Sequence, residues 1–313
     1  MTEISQQICD LCGGSDFEII SKKDRHDQPL HTGLCQGCGL VMHLPIPSEE
    51  EIAAYYAHDY RRDYHGENKP SPRRIMRAWK NGQRIRQQIQ SYIPNQAHVF
   101  EIGAGIGCTV KSFETANFQA SGIEPNTDFN SYTRNVLHAN VKNINLYDLE
   151  AKHEHDVILL IHVIEHFTSP TRALHKMREL LSQNGLLYIE CPNIGAPFAT
   201  FGRMFHFAHI YNFTYNTLIA LGKKAGFEVV QTFTDTNHPD IQILFKKVAI
   251  PEQMTFDAKE AERTRARIFC YNGLSYNLRP QYLLRRIKKI ISYAKEFIQA
   301  KSFVKRLEAR FKS

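Results

Sequence analysis

A strand that runs straight into a glycine-rich turn, and from there into a helix, narrows most sharply what this chain can fold into. Val99-Phe100-Glu101-Ile102 is apolar except for Glu101, and Gly103-Ala104-Gly105-Ile106-Gly107 follows directly. Further apolar runs stand at 119–124, 141–146, 157–162 and 186–191. Together with His98–Ile102 they are the strand candidates. Segments with helix periodicity lie between most of them, as at 171–181, where Leu174, Met177, Leu180 and Leu181 share one face. Strand and helix in regular succession predict a parallel sheet covered on both sides, and continuous apolar runs suit strands buried on both faces. A helix near 214–225 precedes two more strand-like runs, 227–233 and 241–248. The loop between them, 234–240, is too short for a crossover helix, so this pair is expected as an antiparallel hairpin. The fold class is therefore α/β and doubly wound, with its last strand antiparallel.

The amino-terminal zone reads differently. Cys9-x-x-Cys12 and Cys35-x-x-Cys38 form two pairs, and Gly13, Gly14, Gly37 and Gly39 supply the open backbone that metal knuckles need. Two such pairs can complete one tetrahedral ion, which predicts a structural Zn2+ held by Cys9, Cys12, Cys35 and Cys38. Four thiolates leave no open coordination position, so this metal would hold structure. The competing reading, a redox pair, lacks the βαβ pattern that would surround it. His26, His31 and His43 lie nearby, but the quartet already saturates the metal. Cys108, Cys191 and Cys270 read as small core residues.

Residues 1–7 show neither a basic n-region nor an apolar h-region, so the chain is expected to be cytoplasmic with reduced thiols. At 42% hydrophobic and 23% charged residues, disorder is excluded. No apolar run approaches the length of a membrane span. The net charge is +7. Residues 279–313 alone hold 11 Lys/Arg against 2 Asp/Glu, so the basic character belongs to a tail and a generally nucleic-acid-binding surface is not implied.

The glycine loop has a chemical reading. Glycines let backbone approach a ligand closely at the carboxyl end of a sheet. Glu124 closes the next strand and can accept two hydrogen bonds from a ribose diol. Glu101 can face a ligand's ammonium. On these residues, on Val163-Ile164-Glu165-His166-Phe167, on residues 185–193 and on Ala225-Gly226-Phe227, the chain resembles the class I S-adenosylmethionine-dependent methyltransferases over about 99–248. The resemblance implies a Rossmann-like seven-stranded sheet. It implies that Gly103, Ala104, Gly105 and Gly107 contact the methionine end of S-adenosyl-L-methionine, that Glu124 binds its ribose hydroxyls, and that Asp148 contacts its adenine. His162, at the end of the fourth strand, joins this set. The organisation expected is 1–47 a zinc ribbon, 48–98 a helical connector, 99–250 the cofactor-binding methyltransferase domain and 251–313 a helical basic extension.

After the fourth strand, His162-x-x-Glu165-His166 has three readings. His166 can be a general base whose imidazole Glu165 holds, since histidine suits proton transfer near neutral pH. The three residues can instead bind a metal from one helical face, although His162 replaces the glutamate of the metal-dependent methyltransferases that this string resembles. His166 can also simply cap the following turn. The segment 193–212 is long and carries Phe198, Phe201, Phe205, His206, Phe207, His209 and Tyr211; such loops form lids or binding surfaces. His209 is the candidate acceptor contact there. Tyr55, Tyr56, Tyr60 and Tyr64 can reach a ligand or can pack.

A four-cysteine ribbon ahead of such a domain resembles sugar methyltransferases of bacterial surface-glycan and antibiotic-sugar pathways, which implies polysaccharide biosynthesis. The expected acceptor is a sugar hydroxyl in a nucleotide-linked or lipid-linked glycan. RNA, a sugar carbon and a quinone-like small molecule are the alternatives. Leu283, Ile290, Phe297, Val304 and Phe311 recur every seven residues in the tail, on a long helix with a Lys/Arg-rich side. That helix can pack on the sheet domain, pair with a second copy, or lie on the inner membrane face.

Overall fold

The computed structural model describes residues 7–58, 70–196, 199–271 and 273–311. Tyr60, Tyr64 and Phe198 lie outside the described residues, as does the side chain of Tyr56. The strands are β1 Phe17–Lys23, β2 Pro29–Cys35, β3 Val41–His43, β4 His98–Ile102, β5 Gln119–Ile123, β6 Val141–Lys142, β7 His155–Ile161, β8 Leu181–Pro192, β9 Tyr211–Asn212, β10 Phe227–Thr232 and β11 Asp240–Lys247. The helices are α1 Glu49–His58, α2 Pro72–Ile89, α3 Cys108–Glu114, α4 Thr127–Tyr132, α5 Pro170–Leu180, α6 Tyr215–Lys224, α7 Glu260–Ile268, α8 Gly273–Asn277 and α9 Pro280–Ala309.

Seven strands form one mixed sheet in the order β10-β11-β8-β7-β4-β5-β6. β4 is parallel to β5 and β7, and β10 is antiparallel to β11. The doubly wound α/β expectation and its terminal hairpin both hold. β6 is shorter than the apolar run at 141–146. Asn145 accepts the Tyr147 N–H, and the Asn145 N–H bonds back to Asp148, so the chain leaves the strand for a short 3-10 turn at Leu146–Asp148.

The chain separates into two packed units. One comprises Gly66–Leu160, Glu179–Leu187 and Leu278–Ser313. Its parallel strands bury Val99, Ile102, Ile123 and 157–160. Helix α2 carries Ile75, Met76, Trp79, Ile85 and Ile89 on its buried face, a 3.6-residue stripe in a segment that is otherwise polar. The carboxyl-terminal part of α9 packs in the same unit through Ala300, Val304 and Leu307, and Phe311 lies against Trp79 with ring centroids 5.8 Å apart.

The other unit comprises Met1–His65, Ile161–Arg178 and Tyr188–Asn277. It holds a four-stranded antiparallel sheet ordered β1-β2-β3-β9. Three strands come from the cysteine-rich zone and the fourth from residues more than 160 positions later, with Val41 opposite Asn212 and Met42 opposite Tyr211. Leu34, Val41, Ile194, Met204, Phe205 and Ile268 make a shared core beneath it. Asp10, inside the first cysteine knuckle, accepts from the Ser169 hydroxyl and the Thr171 N–H at 2.7 and 2.8 Å. It thereby caps α5. Cys108 and Cys191 are buried as expected, but Cys270 is exposed; it follows the end of α7, outside the apolar stripe that the helix buries.

Candidate active site

In the first unit, the loop after β4 places three glycines in the left-handed region: φ is 72° at Gly103, 54° at Gly105 and 73° at Gly107. A side chain there would be strained whatever the space. At Gly107 space is also absent, because a Cβ would stand 2.5 Å from the Thr133 methyl. At Gly105 it would meet nothing within 4 Å. The Gly105 N–H donates to Glu124 Oε2 and the Asn126 N–H to Glu124 Oε1, each at 2.8 Å. Glu124 at the end of β5 thus fixes the loop with one lone pair on each oxygen and keeps the others. Burial raises its pKa.

Glu101 is 3% exposed, and its Oε2 has no hydrogen-bond partner among the described residues. Burial pushes this carboxyl up to about 8, against the opposing pull of the Thr109 hydroxyl and the Val110 N–H. A buried carboxylate oxygen without a donor calls for a cationic or N–H-bearing ligand group. Asp148 spends one oxygen on the Asn145 N–H at 3.3 Å. The resemblance set Glu101, Gly103, Ala104, Gly105, Gly107 and Glu124 therefore forms one contiguous cradle in this unit, fitting a ligand that brings a cation and a diol.

In the second unit the chain leaves β7 through His162, whose φ is 53°, and enters a 3-10 turn at Ile164–His166. His162, Glu165 and His166 are not arrayed along a helix. They converge because of this left-handed step. Glu165 is 1% exposed, and neither carboxylate oxygen has a hydrogen-bond partner among the described residues. Three imidazoles surround its Oε1: His162 Nδ1 at 3.6 Å, His166 Nε2 at 3.9 Å and His209 Nε2 at 3.9 Å. His162 Nε2 also lies 3.7 Å from Glu190 Oε1, and the Tyr188 hydroxyl donates to Glu190 Oε2 at 2.9 Å. Glu190, on β8, carried no periodicity or spacing signal that would place it here.

The protonation states follow from these contacts. Burial opposes a charge on His162, but Glu165 and Glu190 outweigh it and raise the imidazole to about 9. Burial drives His209 well below its ordinary value and His206 down to about 2, so both are neutral. His166 Nδ1 lies 2.6 Å from the Ala208 carbonyl oxygen. A carbonyl can only accept, so Nδ1 carries the hydrogen and Nε2 keeps a lone pair directed toward Glu165. Glu165, His166 and His209 bring their ligand atoms within 4.8 Å of one another, which also makes them a set able to hold an ion.

The segment that carries His209 is pinned in place, unlike a free lid. Phe205 accepts the Arg25 N–H at 2.7 Å, and Ile210 accepts the His43 N–H at 2.9 Å. The His43 ring, 1% exposed, points Nε2 at the carbonyls of His206 and Phe207 at 3.2 and 3.3 Å. Burial lowers His43 to about 4, so it is neutral and donates through Nε2–H. The rings of His206 and His209 stack at 3.8 Å. Tyr55, the tyrosine of its group that is buried, packs on Phe207 at 5.0 Å.

The four cysteines converge in this same unit. Their sulfurs lie within 4.8 Å of one another, with Cys9–Cys38 at 3.6 Å and Cys12–Cys35 at 3.4 Å. A tetrahedral ion with bonds of about 2.3 Å sets sulfurs about 3.8 Å apart, so the donor set fits. The Gly14 N–H donates to Cys12 Sγ at 3.4 Å, a contact that favours thiolate. Donation from the neighbouring thiols holds Cys12 far below the ordinary thiol range.

A family model described as a methyltransferase domain matches residues 67–232. That is just over half of the chain, and the chain belongs to this family. No curated protein matches it. Among solved structures, 1,6-didemethyltoxoflavin-N1-methyltransferase of Burkholderia thailandensis, with bound 1,6-didemethyltoxoflavin and S-adenosylhomocysteine, is 15% identical with a TM-score of 0.51. The match covers 75% of this chain and 100% of that one, and it is a likeness of fold. A SAM-dependent methyltransferase of Thermotoga maritima is 21% identical with a TM-score of 0.44, covering 63% and 98%. One of Archaeoglobus fulgidus is 15% identical with a TM-score of 0.45, covering 54% and 94%.

Proposed function

We propose that this methyltransferase uses S-adenosyl-L-methionine to methylate a sugar hydroxyl in a nucleotide-linked or lipid-linked bacterial glycan, and that its four cysteines hold a structural zinc. The observation that carries the acceptor chemistry is the buried Glu165 carboxylate, ringed by imidazoles and lacking any hydrogen-bond donor among the described residues. A hydroxyl acceptor must lose a proton during transfer, whereas a thioether-forming or already anionic acceptor needs no such cluster.

The bound cofactor supplies a methyl group on a sulfonium. Glu101 Oε2 receives the cofactor's ammonium, and the open backbone at Gly105 allows close approach. The lone pairs that Glu124 retains accept from the ribose hydroxyls, and the second oxygen of Asp148 serves the adenine amino group. His166 Nε2 takes the proton of the acceptor hydroxyl as that oxygen bonds to the methyl carbon and the carbon–sulfur electron pair stays on sulfur. Glu165 stabilises the resulting imidazolium, and neutral His209 orients the hydroxyl. His162, held cationic between Glu165 and Glu190, keeps the second carboxylate from raising the first.

The experiment is transfer of labelled methyl from S-adenosyl-L-methionine into a bacterial lysate, fractionated into nucleotide sugars, lipid-linked glycans, RNA, protein and small molecules. Label in a sugar fraction is the expected result. Label confined to RNA or to an amine would overturn the acceptor. For the metal, the purified protein is expected to contain one zinc per chain, lost when Cys35 is replaced by serine. A folded, zinc-free wild-type protein would contradict the ribbon.

A further inference from the structure

Helix α9 carries two apolar faces, and only one of them is used. Its carboxyl-terminal half packs through Ala300, Val304 and Leu307, and the Tyr132 hydroxyl donates to Glu308 at 3.1 Å. Its amino-terminal half meets α2 through polar contacts. The Arg77 guanidinium holds Glu296 at 2.6 Å with Arg73 at 3.6 Å, and both arginines stand over the Tyr293 ring at 4.7 and 4.8 Å. At about 100° per residue, these packed positions centre on one side of the helix. Leu284, Ile287, Ile290, Ile291, Phe297 and Ile298 occupy an arc of about 140° whose centre lies about 130° away from that packed side. Each is 50% to 77% exposed. Side chains of this kind are ordinarily exposed singly, not as a continuous stripe over four turns.

The charge around the stripe says what covers it. Arg286 flanks one edge, and Lys288 and Lys295 flank the other; all three are exposed. Residues 279–298 hold six Lys/Arg and one acid, Glu296, and that acid is already engaged by Arg77 and Arg73. A second copy laid on the stripe would bring cation against cation along both seams with no carboxylate to answer them. Long cationic side chains beside an apolar arc instead suit a surface that is apolar below and anionic above, because their methylene stems follow the apolar face while their heads reach upward. No helix among the described residues is long and apolar enough to cross a membrane, so the helix would lie in the plane of the surface.

We infer that residues 283–298 dock on the surface of an anionic lipid bilayer, with the Leu284–Ile298 stripe entering the acyl boundary and Arg286, Lys288 and Lys295 meeting lipid phosphates. The inference rests on helix geometry and charge, and holds whichever acceptor is methylated.

The test is sedimentation of the full-length protein with two kinds of vesicle, pure phosphatidylcholine and equal parts phosphatidylcholine and phosphatidylglycerol. Binding is expected to be at least about tenfold tighter on the anionic vesicles. It should weaken as salt rises from about 0.1 M to about 1 M, which shortens the screening length from about 10 Å to about 3 Å. Ile287→Ser with Phe297→Ser should abolish it, and Lys288→Glu with Lys295→Glu should remove the anionic preference. All four positions point away from the packed side, so helical circular dichroism and S-adenosylhomocysteine affinity should stay at wild-type values in both variants. No sedimentation with anionic vesicles, or equal binding to both kinds, would overturn the inference. So would a solution dimer that becomes monomeric in the Ile287→Ser/Phe297→Ser variant, since it would assign the stripe to a second copy.

Discussion

Replacing His166 with alanine is expected to lower turnover by about 10²-fold or more while leaving S-adenosylhomocysteine affinity at the wild-type level. Two contacts are lost with the ring, and they separate the possible outcomes. The hydrogen bond from Nδ1 to the Ala208 carbonyl ties the turn after β7 to the segment carrying His209. Its removal costs stability on the order of 1 kcal/mol. The Nε2 lone pair facing Glu165 is the chemical contact. A variant that folds and binds cofactor but transfers methyl slowly isolates the second. His166→Gln can keep a donor for the Ala208 carbonyl but supplies no base, so it should recover stability without recovering rate. An unchanged rate in either variant would reduce His166 to a structural tie.

Gly105→Leu is expected to weaken S-adenosylhomocysteine binding by at least about 100-fold while the protein still folds. The φ of 54° imposes strain of about 1–3 kcal/mol on a leucine, but its Cβ would meet no atom within 4 Å. The side chain would project into the space assigned to the cofactor. Gly107→Val is the contrasting variant. Its Cβ would collide with Thr133, so it should lose thermal stability as well as binding. Retained binding in Gly105→Leu would remove the loop from the cofactor site.

The parallel strands were legible because each is a continuous apolar run bounded by a turn, and the terminal hairpin because its loop is too short for anything else. β6 was overread: the Asn145-x-x-Asp148 spacing is a turn signal that competes with the apolar run around it. The cofactor cradle could be read from local order alone, since Glu101, the glycines and Glu124 sit at strand ends. The cluster around Glu165 could be read only in part. Its members come from the turn after β7, from β8 and from the segment before β9, and the left-handed His162 step that brings them together carries no compositional mark. β9 was illegible for the same reason. It is two residues long, and what makes it a strand is Val41 and Met42, a partner far away in sequence. In the tail, a heptad pattern announced a helix but not that its first half would stay uncovered.

The pairing of β3 with β9 ties the metal to the chemistry in a way that assays would separate. The residues assigned to the cofactor all lie in the unit that lacks the cysteines, whereas His206 and His209 ride on backbone held by His43, Arg25 and the ribbon sheet. Stripping the ion should therefore spare ligand affinity and silence transfer. A preparation made with a chelator would pass a binding assay and fail a turnover assay, and restoring zinc alone would rescue it.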